Sequence, residues 1–223
     1  ILVLDQSLKN NSSVSLINTN VLRDGNDYNA NVSAFVFNIN NKKNIYNWNG
    51  KIALSNIYNK DGHTQTGYMH NLGFGKVGGR FNVILNQELT DDKYNPNDLG
   101  ILFNNNYLDH YFYIGYNWNK PGKWYNQLHL NNNFTYSRRY RPAAYQTFSY
   151  NGNINGQLKN LMYAGININY NARGNDFYEP RVAGRVYQKP AGAGFGGWVN
   201  SNQSKKYYYY LEVDFGFSNL FHN

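Results

Sequence analysis

The chain of 223 residues has no cysteine, five prolines and two methionines, and only 15% of its residues are charged. The missing cysteine excludes a disulfide framework, a thiolate metal site and a cysteine nucleophile together. It does not fix the compartment. No stretch approaches the ~18 consecutive apolar residues of a transmembrane helix. Mean hydropathy is −0.69. There is no initiating Met and no secretory leader, so the expectation is a mature or internal segment. No linker or change of composition divides the chain, and it is read as one unit, residues 1–223.

What is present is a strong bias: 22 Tyr, 13 Phe, 21 Gly and abundant Asn. The net charge of +8 permits nucleic acid, anionic lipid or acidic glycan as partners. The basic residues do not cluster enough to favour nucleic acid; their longest knots are Arg138-Arg139-Tyr140-Arg141, Lys42-Lys43 and Lys205-Lys206.

Helical periodicity is scarce and period-two alternation is everywhere. Between Leu108 and Trp118 one face reads Leu108, His110, Phe112, Ile114, Tyr116, Trp118, and the other Asp109, Tyr111, Tyr113, Gly115, Asn117. Residues 162–172 and 206–217 alternate in the same way. About twelve strands are expected, near 1–8, 13–23, 30–39, 46–58, 66–76, 80–90, 107–118, 125–136, 147–158, 161–172, 194–201 and 206–217. Most exceed the ~5–6 residues of a globular strand and match the ~9–11 that a tilted strand needs to cross a bilayer.

The expected connections alternate. Short ones (40–45, 77–79, 119–124, 159–160, 202–205) follow longer ones (59–65, 91–106, 137–146, 173–193). That is the signature of an up-and-down antiparallel barrel with turns at one rim and loops at the other. Only the outward face of such a barrel must be apolar, so a negative mean hydropathy is compatible with a membrane. Tyr and Trp near strand ends (Tyr46, Trp48, Tyr116, Trp118, Trp124, Tyr125, Tyr136, Tyr207 to Tyr210) fit aromatic girdles, although Tyr is also a good strand former.

Several motifs are better explained by structure than by chemistry. Gly73-Phe74-Gly75-Lys76-Val77-Gly78 matches G-x-G-x-x-G, but strand pattern continues on both sides, so a glycine hairpin is expected. The stretch TDDKYNPNDLG (90–100) is rich in oxygen ligands, and Asp91, Asp92 and Asp98 are weak candidates for calcium. It lacks EF-hand spacing, and Asx-turn chemistry accounts for it. His63, His70, His110, His129 and His222 show no zinc-protease spacing, and no nucleophile-elbow motif occurs. Glu88, Glu179 and Glu212 lie on separate segments, and no catalytic residue and no cofactor is assigned.

The longest connection holds NDFYEPRVAGRVYQKPAGAG (175–194), the most charged stretch of the chain. Glu179, Arg181, Arg185, Lys189 and Tyr178 are the candidate ligand-binding or constriction residues. Arginine forks suit phosphate or acidic sugar. The structural alternative is an ordered plug in which Glu179 pairs with an arginine and Pro180 and Pro190 stiffen the ends.

HNLGFGKVGGRF (70–81), TDDKYNPNDLG (90–100), YNWNKPGKWYN (116–126), RRYRPAAYQTF (138–148) and NDFYEPRVAGRVYQKP (175–190) together resemble one family. It is the uncharacterised C-terminal β-barrel family numbered 5916 among the domains of unknown function, found in outer-membrane proteins of Bacteroidota. The resemblance covers most of residues 66–217; residues 1–65 match in style. It implies a barrel that follows a carbohydrate-binding family 9-like domain. It supplies no catalytic residues, and the hydrolase label of some members is weak. FSNLFHN does not end on the terminal aromatic of such barrels, so further strands are expected after Asn223.

The expectation is therefore an all-β, antiparallel, up-and-down transmembrane barrel segment in the outer membrane of a Gram-negative bacterium. Long loops would face outside and short turns the periplasm. The function expected is non-enzymatic: glycan binding or passage, or a subunit of a larger outer-membrane complex. The expected partners are membrane lipid or lipopolysaccharide, a glycan, and other outer-membrane or periplasmic proteins, not nucleic acid. The alternatives are a membrane-embedded carbohydrate-active hydrolase and a soluble Asn/Tyr-rich β adhesin.

Overall fold

The computed structural model describes residues 1–25, 27–98, 100–182 and 184–219. Leu220 to Asn223, with His222 and the expected continuation after Asn223, lie outside the described residues, as does Ala183 of the longest connection.

Twelve antiparallel strands form one sheet in chain order. They are β1 (Leu2–Leu8), β2 (Ser12–Val21), β3 (Asn29–Asn40), β4 (Tyr46–Tyr58), β5 (Thr64–Lys76), β6 (Phe81–Thr90), β7 (Tyr107–Trp118), β8 (Tyr125–Arg139), β9 (Ala144–Leu158), β10 (Tyr163–Asn171), β13 (Gly192–Asn200) and β14 (Tyr210–Ser218). Two short strands, β11 (Gly174–Asp176) and β12 (Tyr187–Lys189), form a separate hairpin within the 172–191 connection. No helix occurs among the described residues. The sheet is not closed: β1 pairs with β2 alone and β14 with β13 alone among the described residues.

The contacts divide the chain into two compact units. One comprises residues 1–76, 85–110 and 137–145, the other 77–84, 111–136 and 146–223. Residues directly opposite each other in an antiparallel pair share a face. In the first unit the register aligns Leu4, Leu16, Phe35 and Ile52 across four strands. These side chains are all exposed, between 39% and 56%. The opposite face aligns Ile17, Ala34, Ala53 and Met69, and Ala53 and Met69 are buried. Further along that face Asn38, Asn40, Asn47 and Asn49 bond to one another at 2.7–2.9 Å.

The second unit repeats the division. Ile154, Ile166, Gly197 and Val213 align on one face, with Ile166 61% and Val213 57% exposed. Asn153, Asn167, Gly196 and Asp214 align on the other. Each unit thus leaves a large apolar face bare, and the opposite face carries the bonded amides, joined in the first unit by the small buried cluster of Ala53 and Met69, an inversion of the usual half-buried sheet.

One expected loop contracts. Residues 137–146 were expected to form a long loop, but β8 runs to Arg139 and β9 starts at Ala144, leaving 140–143 as the turn. Ser137 donates to Asp109 and Gln146 is buried, so these charged and polar residues sit in the ladder despite a loop-like composition. The short-long alternation therefore fails here, and again between β13 and β14, where the expected short 202–205 turn spans 201–209 because β14 starts at Tyr210 and not at 206. Arg141-Pro142 within the turn is a cis peptide. The G-x-G-x-x-G stretch falls in the β5–β6 hairpin, with Gly79 at φ +88°, as strand continuity required.

Candidate functional site

The amide-lined face carries the densest side-chain network. In the second unit Tyr111 and Tyr113 of β7 donate to Asn133 and Asn131 of β8 at 2.6 and 2.8 Å. Asn131 donates to Asn153 of β9 at 2.9 Å, Asn133 to Asn151 at 3.1 Å, and Asn151 to Asn169 of β10 at 2.7 Å. Asn155 donates to Asn153 and Asn169 to Asn167 along their own strands at 2.9 and 3.0 Å. An amide donates and accepts at once, so each Asn serves both neighbours and the ladder propagates without charge. In the first unit the same face holds Glu88, which accepts from Asn71 at 2.7 Å and from the Tyr107 hydroxyl.

The 91–106 connection lies against this face in the first unit. Tyr94 is 6% exposed and packs on Ala53 and Met69 with Ala34 and Leu102 beside it. Asn95 N–H donates to Ser55 Oγ at 3.0 Å, and Gln65 Nε2 donates to the Lys93 carbonyl at 3.0 Å. Gly67 makes this approach possible: a Cβ there would stand 2.2 Å from Tyr94 N and 2.3 Å from the Lys93 carbonyl carbon. Burial pushes the Tyr94 phenol above its ordinary range.

The ends of this strap are pinned. Asp91 Oδ1 accepts from the Lys93 and Tyr94 N–H groups at 3.1 and 2.7 Å, which is Asx-turn chemistry. Asn106, at φ +63°, exchanges bonds with Arg141: its Nδ2 donates to the Arg141 carbonyl at 2.6 Å and its Oδ1 accepts from Arg141 N–H at 2.7 Å. Asp98 accepts from Arg23 and from the Tyr28 hydroxyl, tying the strap to the 22–28 connection. The calcium candidates are thus dispersed. Asp91 caps a turn, Asp98 is held by a cation and Asp92 is exposed. No group of three or more metal-ligating side chains forms among the described residues.

The other candidates lie on the hairpin. Its ladder runs from Gly174↔Lys189 to Asp176↔Tyr187. Lys189 pairs with Asp176 at 2.7 Å, and Asp176 Oδ1 accepts from the Tyr178 and Glu179 N–H groups at 3.0 Å each. The Lys189 ammonium, with these two N–H bonds, lowers the Asp176 carboxyl against a desolvation cost. The expected Glu179–arginine pair is replaced by this Asp176–Lys189 pair. Glu179, Arg181 and Arg185 are exposed, and Arg181 sits at φ +53° in a turn closed by its N–H to the Tyr178 carbonyl. Tyr178 is half-buried. The structure therefore gathers Tyr178 and Lys189 at the hairpin stem and leaves Glu179, Arg181 and Arg185 at its outer end.

The family model described as domain of unknown function (DUF5916) matches residues 1–222. The chain belongs to the DUF5916 family. The match reaches through the first 65 residues, which the motifs alone did not cover. No curated protein and no solved structure matches the chain. The strap and the Asn ladder of this DUF5916 chain were not singled out as a site by motif. Their signal was present in the alternating Asn and Tyr positions and in Tyr94, an aromatic residue set in a loop of amides and acids.

Proposed function

We propose that this DUF5916 chain forms part of the wall of an outer-membrane β-barrel whose amide-lined face contacts a polar solute, without bond cleavage. The observation that carries the reading is the inverted sheet. Exposed Leu, Ile and Phe line one face in each unit, and bonded Asn and Tyr line the other. Lipid is the solvent that suits the first face and water the second. Strands of nine or more residues, as most here are, suit a tilted crossing.

The solute class that fits is a neutral glycan. Asn amides match sugar hydroxyls as donors and acceptors, and Tyr rings offer apolar faces to pyranose rings. The resemblance to barrels that follow a carbohydrate-binding family 9-like domain points the same way. The strap at Tyr94 would narrow the first unit's part of this surface.

The absence of native cysteine makes a direct test clean. Single-cysteine variants Ile166→Cys and Asn153→Cys are labelled with a water-soluble maleimide in isolated envelopes. Asn153→Cys reacts and Ile166→Cys is shielded until detergent is added; equal labelling without detergent removes the membrane reading. Neutral oligosaccharide slows labelling of Asn153→Cys if glycan occupies this face, and an unchanged rate removes the glycan.

A further inference from the structure

The two classes of connection differ in charge. Those at one end of the strands, 9–11, 41–45, 77–80, 119–124, 159–162 and 201–209, contain lysines and one arginine but no Asp or Glu. At the other end 22–28, 59–63, 91–106 and 172–191 mix both signs, while the short 140–143 turn holds Arg141 alone. In the second unit the acid-free turns present Lys120, Lys123, Lys159, Lys205 and Lys206, all exposed. None of these five forms an ion pair among the described residues. The turns adjoin: Lys159 N–H donates to the Trp124 carbonyl at 3.1 Å, and Asn202 Nδ2 donates to the Asn160 carbonyl at 3.5 Å.

An apolar groove of about 450 Å³ on the exposed face of the same unit shares residues with these turns. Trp124 belongs to a turn, and Leu128, Ile154, Ile166, Val199 and Val213 continue the walls along the strands. Its floor is low because Ala164 stands opposite Gly156, and Ile166 opposite Gly197.

Resting on the membrane reading above, we propose that this groove and rim form a binding site for one anionic phospholipid. An acyl chain lies in the groove, Trp124 stands at the level of the ester groups, and the phosphate faces Lys123, Lys159 and the Lys205-Lys206 pair. Charge selects the occupant. A zwitterionic lipid would fill the groove equally well but gain little from a rim of uncompensated lysines, whereas an anionic headgroup neutralises it. The site also fixes the short-turn end in a leaflet that contains such lipid.

The test uses the full chain, folded in zwitterionic detergent, with native mass spectrometry counting retained lipid. Phosphatidylglycerol is retained in preference to phosphatidylcholine of the same chains, and the preference fades with salt. Lys123→Gln, Lys159→Gln, Lys205→Gln and Lys206→Gln together weaken phosphatidylglycerol about tenfold, since each surface lysine near an anionic lipid contributes up to about fivefold. Phosphatidylcholine is unaffected. Ala164→Phe, which fills the groove, weakens both lipids. The headgroup alone, glycerophosphoglycerol, does not compete. Equal retention of the two lipids, an undiminished preference in the quadruple variant, competition by the headgroup, or a preference for lipid A would each overturn the site. The two readings fail separately. A chain that stays dispersed without detergent defeats the membrane reading, while one that needs detergent but shows no headgroup preference defeats only the lipid site.

Discussion

Two long connections leave the same end of the strands and meet opposite fates. The 91–106 strap is fastened to the sheet at Tyr94, Asp91, Asn106 and Asp98. The 172–191 connection closes on itself as the β11–β12 hairpin, with its outer residues exposed. Proline and charge do not separate them, since both carry each. The difference lies in what the sheet offers beneath. Under the strap Gly67 and Ser55 leave room for backbone and give it a partner. Beneath the hairpin, Gly174 at the stem comes close to the Gln146 carbonyl, while Glu179, Arg181 and Arg185 stay exposed. Length alone therefore does not make a loop a plug; the receiving surface does.

The comparison can be broken most severely at Gly67. Gly67→Val sets a side chain against strap backbone that has no flexible end to yield. The whole strap should detach, and trypsin should cut after Lys93 in the variant while sparing the native chain. Tyr94→Ala is the next largest. It removes the buried ring from Ala53 and Met69 at a cost of about 3 kcal/mol, read as a lower midpoint in denaturant with the same cleavage, though slower than in Gly67→Val. If either variant leaves Lys93 protected, the strap is held by something other than the Tyr94 seat.

The hairpin should respond less. Asp176 has a lowered carboxyl pKa in the folded state, so its contribution is complete above the unfolded value and is lost as pH falls through the folded one. Hydrogen exchange at Gln188 should quicken below about pH 4, and Asp176→Asn should show the fast rate at every pH. The cost of that variant, for a pair this exposed, is about half a kcal/mol. Protection that does not change with pH would mean the ladder alone holds the hairpin. Replacing Arg181 and Arg185 together by alanine is the mildest change. Composition suggested that these arginines order the loop, but both are exposed, so stability should shift by less than about 0.5 kcal/mol. A larger loss would show that they engage a surface after all.

The alternation of Leu108 to Trp118 was enough to assign both faces of β7, because a strand's period of two is written directly in its residues. The twelve main strands were legible for the same reason. The turn at 140–143 was not, because the stretch from Ser137 to Gln146 looks like a loop until Ser137's cross-strand partner Asp109 and the burial of Gln146 are known. Nor was the strap: Gly67 and Tyr94 lie on different elements, and nothing local marks the contact. At the hairpin an ion pair was expected between Glu179 and an arginine, and the structure pairs Asp176 with Lys189 instead. Asp176 is nearer the stem than Glu179, and its shorter side chain reaches the two N–H groups that follow it.

The Asn ladder has a further consequence before the sheet exists. Repeated amides that satisfy one another across strands are also the groups that stack well between separate chains. A chain with several such strands, whose β1 and β14 are each paired on one side alone among the described residues, is prone to find a neighbour before it finds itself. The surface that wets the finished wall is thus a hazard during synthesis and transit. A holding chaperone that masks the Asn-rich strands β8, β9 and β10 should raise the yield of folded protein more than one that shields only the apolar face.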